Sequence, residues 1–142
     1  MRKKFLATSI FVLFAVTFSC TKQQDQVPLT GVNIYLTLGE PAYVKLNAVT
    51  GWVYIDGGVR GIIVYRKSST EFMAYDRDCP YQPNNTCALV KVDSTNNLTA
   101  FDPCCGSKFL LMDGSVTRGP ATAPLKQYET SYDGSSTLHI FN

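Results

Sequence analysis

From Val32 to the C terminus the chain repeats with a period of two, the feature that most restricts what it can fold into. Val32, Ile34, Leu36 and Leu38 alternate with Asn33, Tyr35 and Thr37, the pattern of a half-buried strand. Further strand candidates are 42–46, 52–55, 61–66, 72–75, 88–92, 108–112, 127–132 and 137–141. Asp56-Gly57-Gly58, Asp113-Gly114 and Asp133-Gly134 supply hairpin-type turns between them. No helical periodicity follows the first twenty residues. Many short strands joined by Gly, Asn and Pro turns predict an all-β domain, an antiparallel sandwich or barrel. A chain of 142 residues holds one such domain.

The N-terminus reads as a targeting segment. Arg2, Lys3 and Lys4 precede an uncharged apolar run from Phe5 to Phe18, too short for a comfortable permanent span. Thr17-Phe18-Ser19-Cys20 resembles a relaxed lipobox, in which the cysteine is acylated and becomes residue one. The expected organisation is a signal peptide over 1–19, a lipidated polar tether over 20–30, and the β domain over 31–142. Lipid on Cys20 would attach the domain to the bacterial envelope, on the outer membrane facing the periplasm, without a transmembrane helix. The formal charge of +2 rests on Arg2, Lys3 and Lys4. Without them the chain is slightly acidic, which argues against a nucleic-acid partner.

Residues 76–107 depart from the strand rhythm. They hold Cys79, Cys87, Cys104 and Cys105 together with Pro80, Pro83 and Pro103. Loops on a β scaffold are a common place for function. In an exported chain these thiols are expected to pair unless a metal holds them. Four cysteines allow three pairings, and a bond between adjacent Cys104 and Cys105 needs strained geometry. The remaining pairings stay open on sequence alone.

Two segments carry a family likeness: Cys79-Pro80-Tyr81 with Cys87, and Asp102-Pro103-Cys104-Cys105-Gly106-Ser107. They resemble the two cluster-binding loops of Rieske iron–sulfur proteins. Downstream, Phe109, Asp113-Gly114, Gly119-Pro120-Ala121, Pro124-Leu125 and Tyr128 follow that family's order, so the likeness spans roughly 60–142. It implies Rieske-like antiparallel sheets with a small loop-rich subdomain over about 76–125. In that family one iron is held by two thiolates and the other by two imidazoles. The corresponding positions here are Cys79 (retained), Tyr81 for the first imidazole, Asp102 for the second thiolate and Cys105 for the second imidazole. A neutral phenol replaces an imidazole, and a hard carboxylate replaces a soft thiolate. Ser107 stands at the family's tuning serine, and Phe109 replaces its tuning tyrosine.

The likeness also implies the pair Cys87–Cys104, the bridge that ties the family's loops. Cys79 and Cys105 then face each other across the cluster cavity and are expected to form a second bridge. The reading adopted is that the chain holds no cofactor and serves a binding or structural role for an envelope protein or redox partner. The alternative is an electron carrier with a 2Fe–2S cluster on Cys79, Cys105, Asp102 and Tyr81. A third arrangement is a single Zn or Cu ion on Cys79, Asp102 and Cys105. A dithiol–disulfide couple of Cys79 and Cys105 is also open. No enzymatic activity is expected. His139, the sole histidine, alternates with Leu138 and Ile140 and belongs on the polar face of a strand. Asp76, Asp78 and Asp102 are expected as solvated loop carboxylates.

Overall fold

A computed structural model describes residues 26–83 and 85–142. The expected signal peptide, Cys20 and the start of the expected tether lie outside the described residues. Ten strands make up the described chain: β1 Asn33–Thr37, β2 Trp52–Ile55, β3 Ile62–Arg66, β4 Phe72–Asp76, β5 Lys91–Val92, β6 Thr99–Phe101, β7 Lys108–Leu110, β8 Val116–Arg118, β9 Gln127–Tyr132 and β10 Thr137–Phe141. They form a six-stranded sheet in the order β1-β10-β9-β4-β3-β2 and a four-stranded sheet in the order β5-β6-β7-β8. Every pairing is antiparallel. The larger sheet is thus built from both ends of the chain, and the smaller one is an insertion between β4 and β9.

Strand β3 explains how the two layers meet. Ile62, Ile63, Val64 and Tyr65 are all fully buried. A continuous apolar run of this kind belongs to a strand covered on both faces. Ile62 and Val64 point into one core with Leu36, Leu46, Tyr128, Leu138 and Ile140. Ile63 and Tyr65 point into a second core with Tyr75, Cys79, Val90, Phe109 and Leu111. The second core is the ground on which the small sheet and its loops rest. Polar links reinforce it: the Val92 amide donates to the Tyr54 hydroxyl at 2.8 Å, and Trp52 Nε1 donates to Asn97 Oδ1 at 2.9 Å.

The expected strands at 52–55, 127–132 and 137–141 appear with those bounds. The candidate at 42–46 is instead a 3-10 helix over Pro41–Asn47. Pro41 sits in its first turn, where a fixed φ and a missing N–H favour a helical start. Only Leu46 of that helix is buried, so the apparent alternation has no sheet to face. The candidate at 88–92 shrinks to Lys91–Val92 plus a single bridge between Leu89 and Asp78. His139 lies on β10 as expected, stacked on Tyr35 and Phe141 and hydrogen-bonded through Nε2 to Asn33 Oδ1 at 2.7 Å.

Candidate functional site

Three loops converge beside the second core. The first follows β4, and its Cys79 amide donates to the Ala88 carbonyl at 3.2 Å. The second is the Asp102–Ser107 turn between β6 and β7. There the Gly106 amide donates to the Asp102 carbonyl at 2.8 Å, and the Cys104 amide donates to Asp102 Oδ1 at 2.8 Å. Gly106 has φ +79°, a left-handed conformation that favours glycine at this tight reversal. The third is the loop around Pro120, whose Ala121 amide donates to Ser107 Oγ at 2.9 Å. A disulfide between Cys87 and Cys104 ties the first loop to the second, as the family likeness implied.

Cys79, Asp102 and Cys105 come together at the centre, with their donor atoms all within 4.8 Å of one another. Cys79 and Asp102 are buried, and Cys105 is half-exposed. The Cys105 sulfur lies 3.1 Å from Asp102 Oδ2 and 3.0 Å from Ser107 Oγ. Cys79 Sγ and Cys105 Sγ are 3.8 Å apart. The expected second bridge is therefore not formed: a disulfide needs about 2.05 Å, and these are two free thiols in contact. Burial pushes the Cys79 thiol well above its usual range. A hydrogen bond to Asp102, that group's charge and Cys105 raise it further, against an opposing Tyr81 backbone contact. Tyr81 is half-buried and packs against the second core.

The aspartates are the chief departure from expectation. Asp76, Asp78 and Asp102 are buried, not solvated. Asp76 accepts from the Tyr128 hydroxyl at 2.7 Å, the Val59 amide at 2.6 Å and the Asp78 amide at 2.8 Å. Gly58, at φ +61°, permits that approach, because a Cβ there would overlap the Asp76 carboxylate and the Tyr128 hydroxyl. Asp78 Oδ1 lies 3.1 Å from Arg60 Nε, yet neither carboxylate oxygen makes an aligned hydrogen bond. Burial pushes Asp78 up to about 6; Arg60 opposes this, while Asp76 and Asp102 add to it. Sequence reasoning missed the Asp76–Tyr128 and Arg60–Asp78 pairs, whose members are far apart in the chain and carry no local motif.

No family model matches the chain, and no curated protein matches it. Among solved structures it is similar to the cyanobacterial plasma membrane Rieske protein PetC3 from Synechocystis PCC 6803. The two share 26% identity at a TM-score of 0.54, over 76% of this chain and 97% of that one. The chain has a Rieske fold. Within that fold, the first two converging loops are the segments that carry the family likeness, and β5–β8 form the small sheet beside them. No helix among the described residues is long and apolar enough to cross a membrane.

Proposed function

We propose that this chain is a lipid-anchored envelope protein whose Rieske domain does not carry a two-iron cluster and acts instead as a docking module. The observation that carries the reading is the contact between Cys79 and Cys105. In the family likeness these positions serve different irons, so a core of two irons and two sulfides would have to lie between them. Their sulfurs are 3.8 Å apart, in van der Waals contact, which leaves no room for it. The donor chemistry points the same way. The only histidine, His139, is held on β10 by Asn33, Tyr35 and Phe141, so no imidazole supplies the second iron. The residues at the site do not fit the family's cluster.

The start of the described chain bears on the anchoring. Gln26, Val27 and Leu29 share a hollow of about 340 Å³ with Pro80, Ala123, Pro124 and Lys126, beside the loops of the site. The six residue steps from Cys20 to Gln26 span at most ~22 Å at about 3.6 Å per residue. Lipid on Cys20 would hold the loop end of the domain close to the bilayer, so the docking face is directed at a membrane-associated partner.

The test is to purify the chain from membranes without air, measure iron and acid-labile sulfide per polypeptide, and take the mass of its N-terminal peptide. The expected result is sub-stoichiometric iron and sulfide, and a chain that begins at an acylated Cys20. Near-stoichiometric iron and sulfide, with a visible spectrum that bleaches on reduction, would overturn the cluster-free reading. An N-terminal peptide that carries no acyl chain on Cys20 would overturn the anchor.

A further inference from the structure

We infer that Cys79, Cys105 and Asp102 form a binding site for a single soft divalent cation, zinc by its chemistry. The inference rests on the reading that no two-iron cluster occupies the loops. Two thiolates bonded to one tetrahedral ion at about 2.3 Å each stand roughly 3.8 Å apart. The Cys79 and Cys105 sulfurs are 3.8 Å apart as they stand, which suits a shared ion and is far from bonding distance for a bridge.

The third donor is prepared as well. Asp102 Oδ1 is occupied by the Cys104 amide at 2.8 Å, which turns Oδ2 toward the Cys105 sulfur at 3.1 Å. Asp102 is almost wholly buried, at 1% exposure, and its second oxygen has thiols for company. Two thiolates and one carboxylate are a donor set for a soft or borderline cation and a poor one for magnesium or calcium. Zinc, having no redox chemistry of its own, would also leave the thiols reduced.

The surroundings suit a metal-bound thiolate. The Ser107 amide points at the Cys105 sulfur from 3.4 Å. Ser107 Oγ accepts from the Ala121 amide at 2.9 Å and from the Cys105 thiol at 3.0 Å, and once that thiol gives up its proton the hydroxyl hydrogen is free to turn to the thiolate. Both donors favour the thiolate, as outer-shell partners do at metal sites. Cys105 is half-exposed, so a water completes four-coordination from that side. Binding is a balanced exchange: the ion forms bonds to two sulfurs and one oxygen, and both thiol protons leave to solvent. An exported chain keeps thiols unpaired where a metal holds them, and Cys87–Cys104 is oxidised while this pair is not.

The experiment uses the full chain, reduced, stripped of metal and handled without air, titrated with cobalt(II) as a visible stand-in for zinc. We expect one equivalent to produce thiolate-to-cobalt charge transfer and the strong visible bands of a tetrahedral site, both abolished by added zinc. About two protons per ion should be released. Cys105→Ser, at the half-exposed position, should fold by circular dichroism and lose the charge-transfer band. Asp102→Asn should weaken zinc binding about tenfold or more. A folded, reduced chain that gives no tetrahedral spectrum would overturn the proposal, as would bands that persist in Cys105→Ser. Formation of a Cys79–Cys105 bridge in air despite stoichiometric zinc would do the same. Stoichiometric iron and sulfide in the membrane-purified chain would instead overturn the cluster-free reading beneath it.

Discussion

Asp76, Asp78 and Asp102 bring three carboxylates into the same buried region, and each is accommodated differently. Asp102 faces thiols, Asp78 faces the Arg60 guanidinium, and Asp76 collects hydrogen bonds from Tyr128 and from backbone amides. None of this is legible locally, because an Asp in a loop is ordinarily exposed and its partners lie elsewhere in the chain. The Tyr128 hydroxyl matters because its acceptor is a carboxylate that is fully buried. Tyr128→Phe should therefore cost about 1.5–3 kcal/mol, the range for a hydrogen bond to an ionised group. Tyr65 is equally buried, but its hydroxyl meets only the Met112 sulfur at 3.6 Å. Tyr65→Phe should cost less than about 1 kcal/mol, since a neutral thioether is a weak acceptor. Urea unfolding at pH 7 compares the two, and equal losses would mean that the Asp76 contact has no special weight.

At the scale of elements, the β9–β10 hairpin is held by its turn. Asp133 Oδ1 accepts from the amides of Ser135 at 2.8 Å, Ser136 at 2.9 Å and Thr137 at 3.0 Å, and Gly134 takes φ +82°. Hydrogen bonds from the Thr137 amide first, then from Ser135, hold this carboxyl well below the usual range. A depressed folded value stabilises the protein above the unfolded value of about 4 and loses that contribution as pH falls toward the folded value. Asp133→Asn should therefore be less stable than the parent at pH 7, with the gap narrowing as pH is lowered from 4 toward 2. Thermal midpoints across that range decide it; a constant gap would show that charge is irrelevant at the turn. The same Asp-Gly signal is why this hairpin was readable from sequence. Strands β6 and β8 were not, being three residues each, and β8 packs no buried side chain. The helix at Pro41–Asn47 escaped for a different reason: its alternation of apolar and polar residues mimics a strand, and Pro41 alone hints otherwise. At the site, the family likeness already implied that Cys79, Asp102 and Cys105 share one cavity, and the structure brings their donor atoms together. The likeness could not decide between bonded and merely touching sulfurs, which depends on how closely the two loops pack.

At the scale of the molecule, two cores share one strand pair, and this makes the small sheet inseparable from the large one. Ile63, Tyr65 and Tyr75 are covered by the insertion, while Ile62, Val64 and Ala74 are covered from the opposite side. Opening the insertion would expose an apolar face of β3 and β4, at about 25 cal/mol for each Å² uncovered. Local opening of the insertion alone is therefore expensive compared with the stability of a small domain. The Cys87–Cys104 bridge, closing a separation of 17 residues, restrains the unfolded chain by about 3 kcal/mol. Replacing both cysteines with serine should lower stability by that order. Both residues are exposed, so the loss should come from the unfolded chain and not from the core. Because the cores share β3 and β4, the variant should still unfold in one step. Trp52 sits beside the insertion through its bond to Asn97, so its fluorescence reports that layer, whereas far-ultraviolet dichroism reports both sheets. Coincident urea curves from the two probes would support a single cooperative unit, displaced to lower denaturant. A fluorescence change that precedes the loss of dichroism would mean that the bridge, and not the shared strands, keeps the insertion closed.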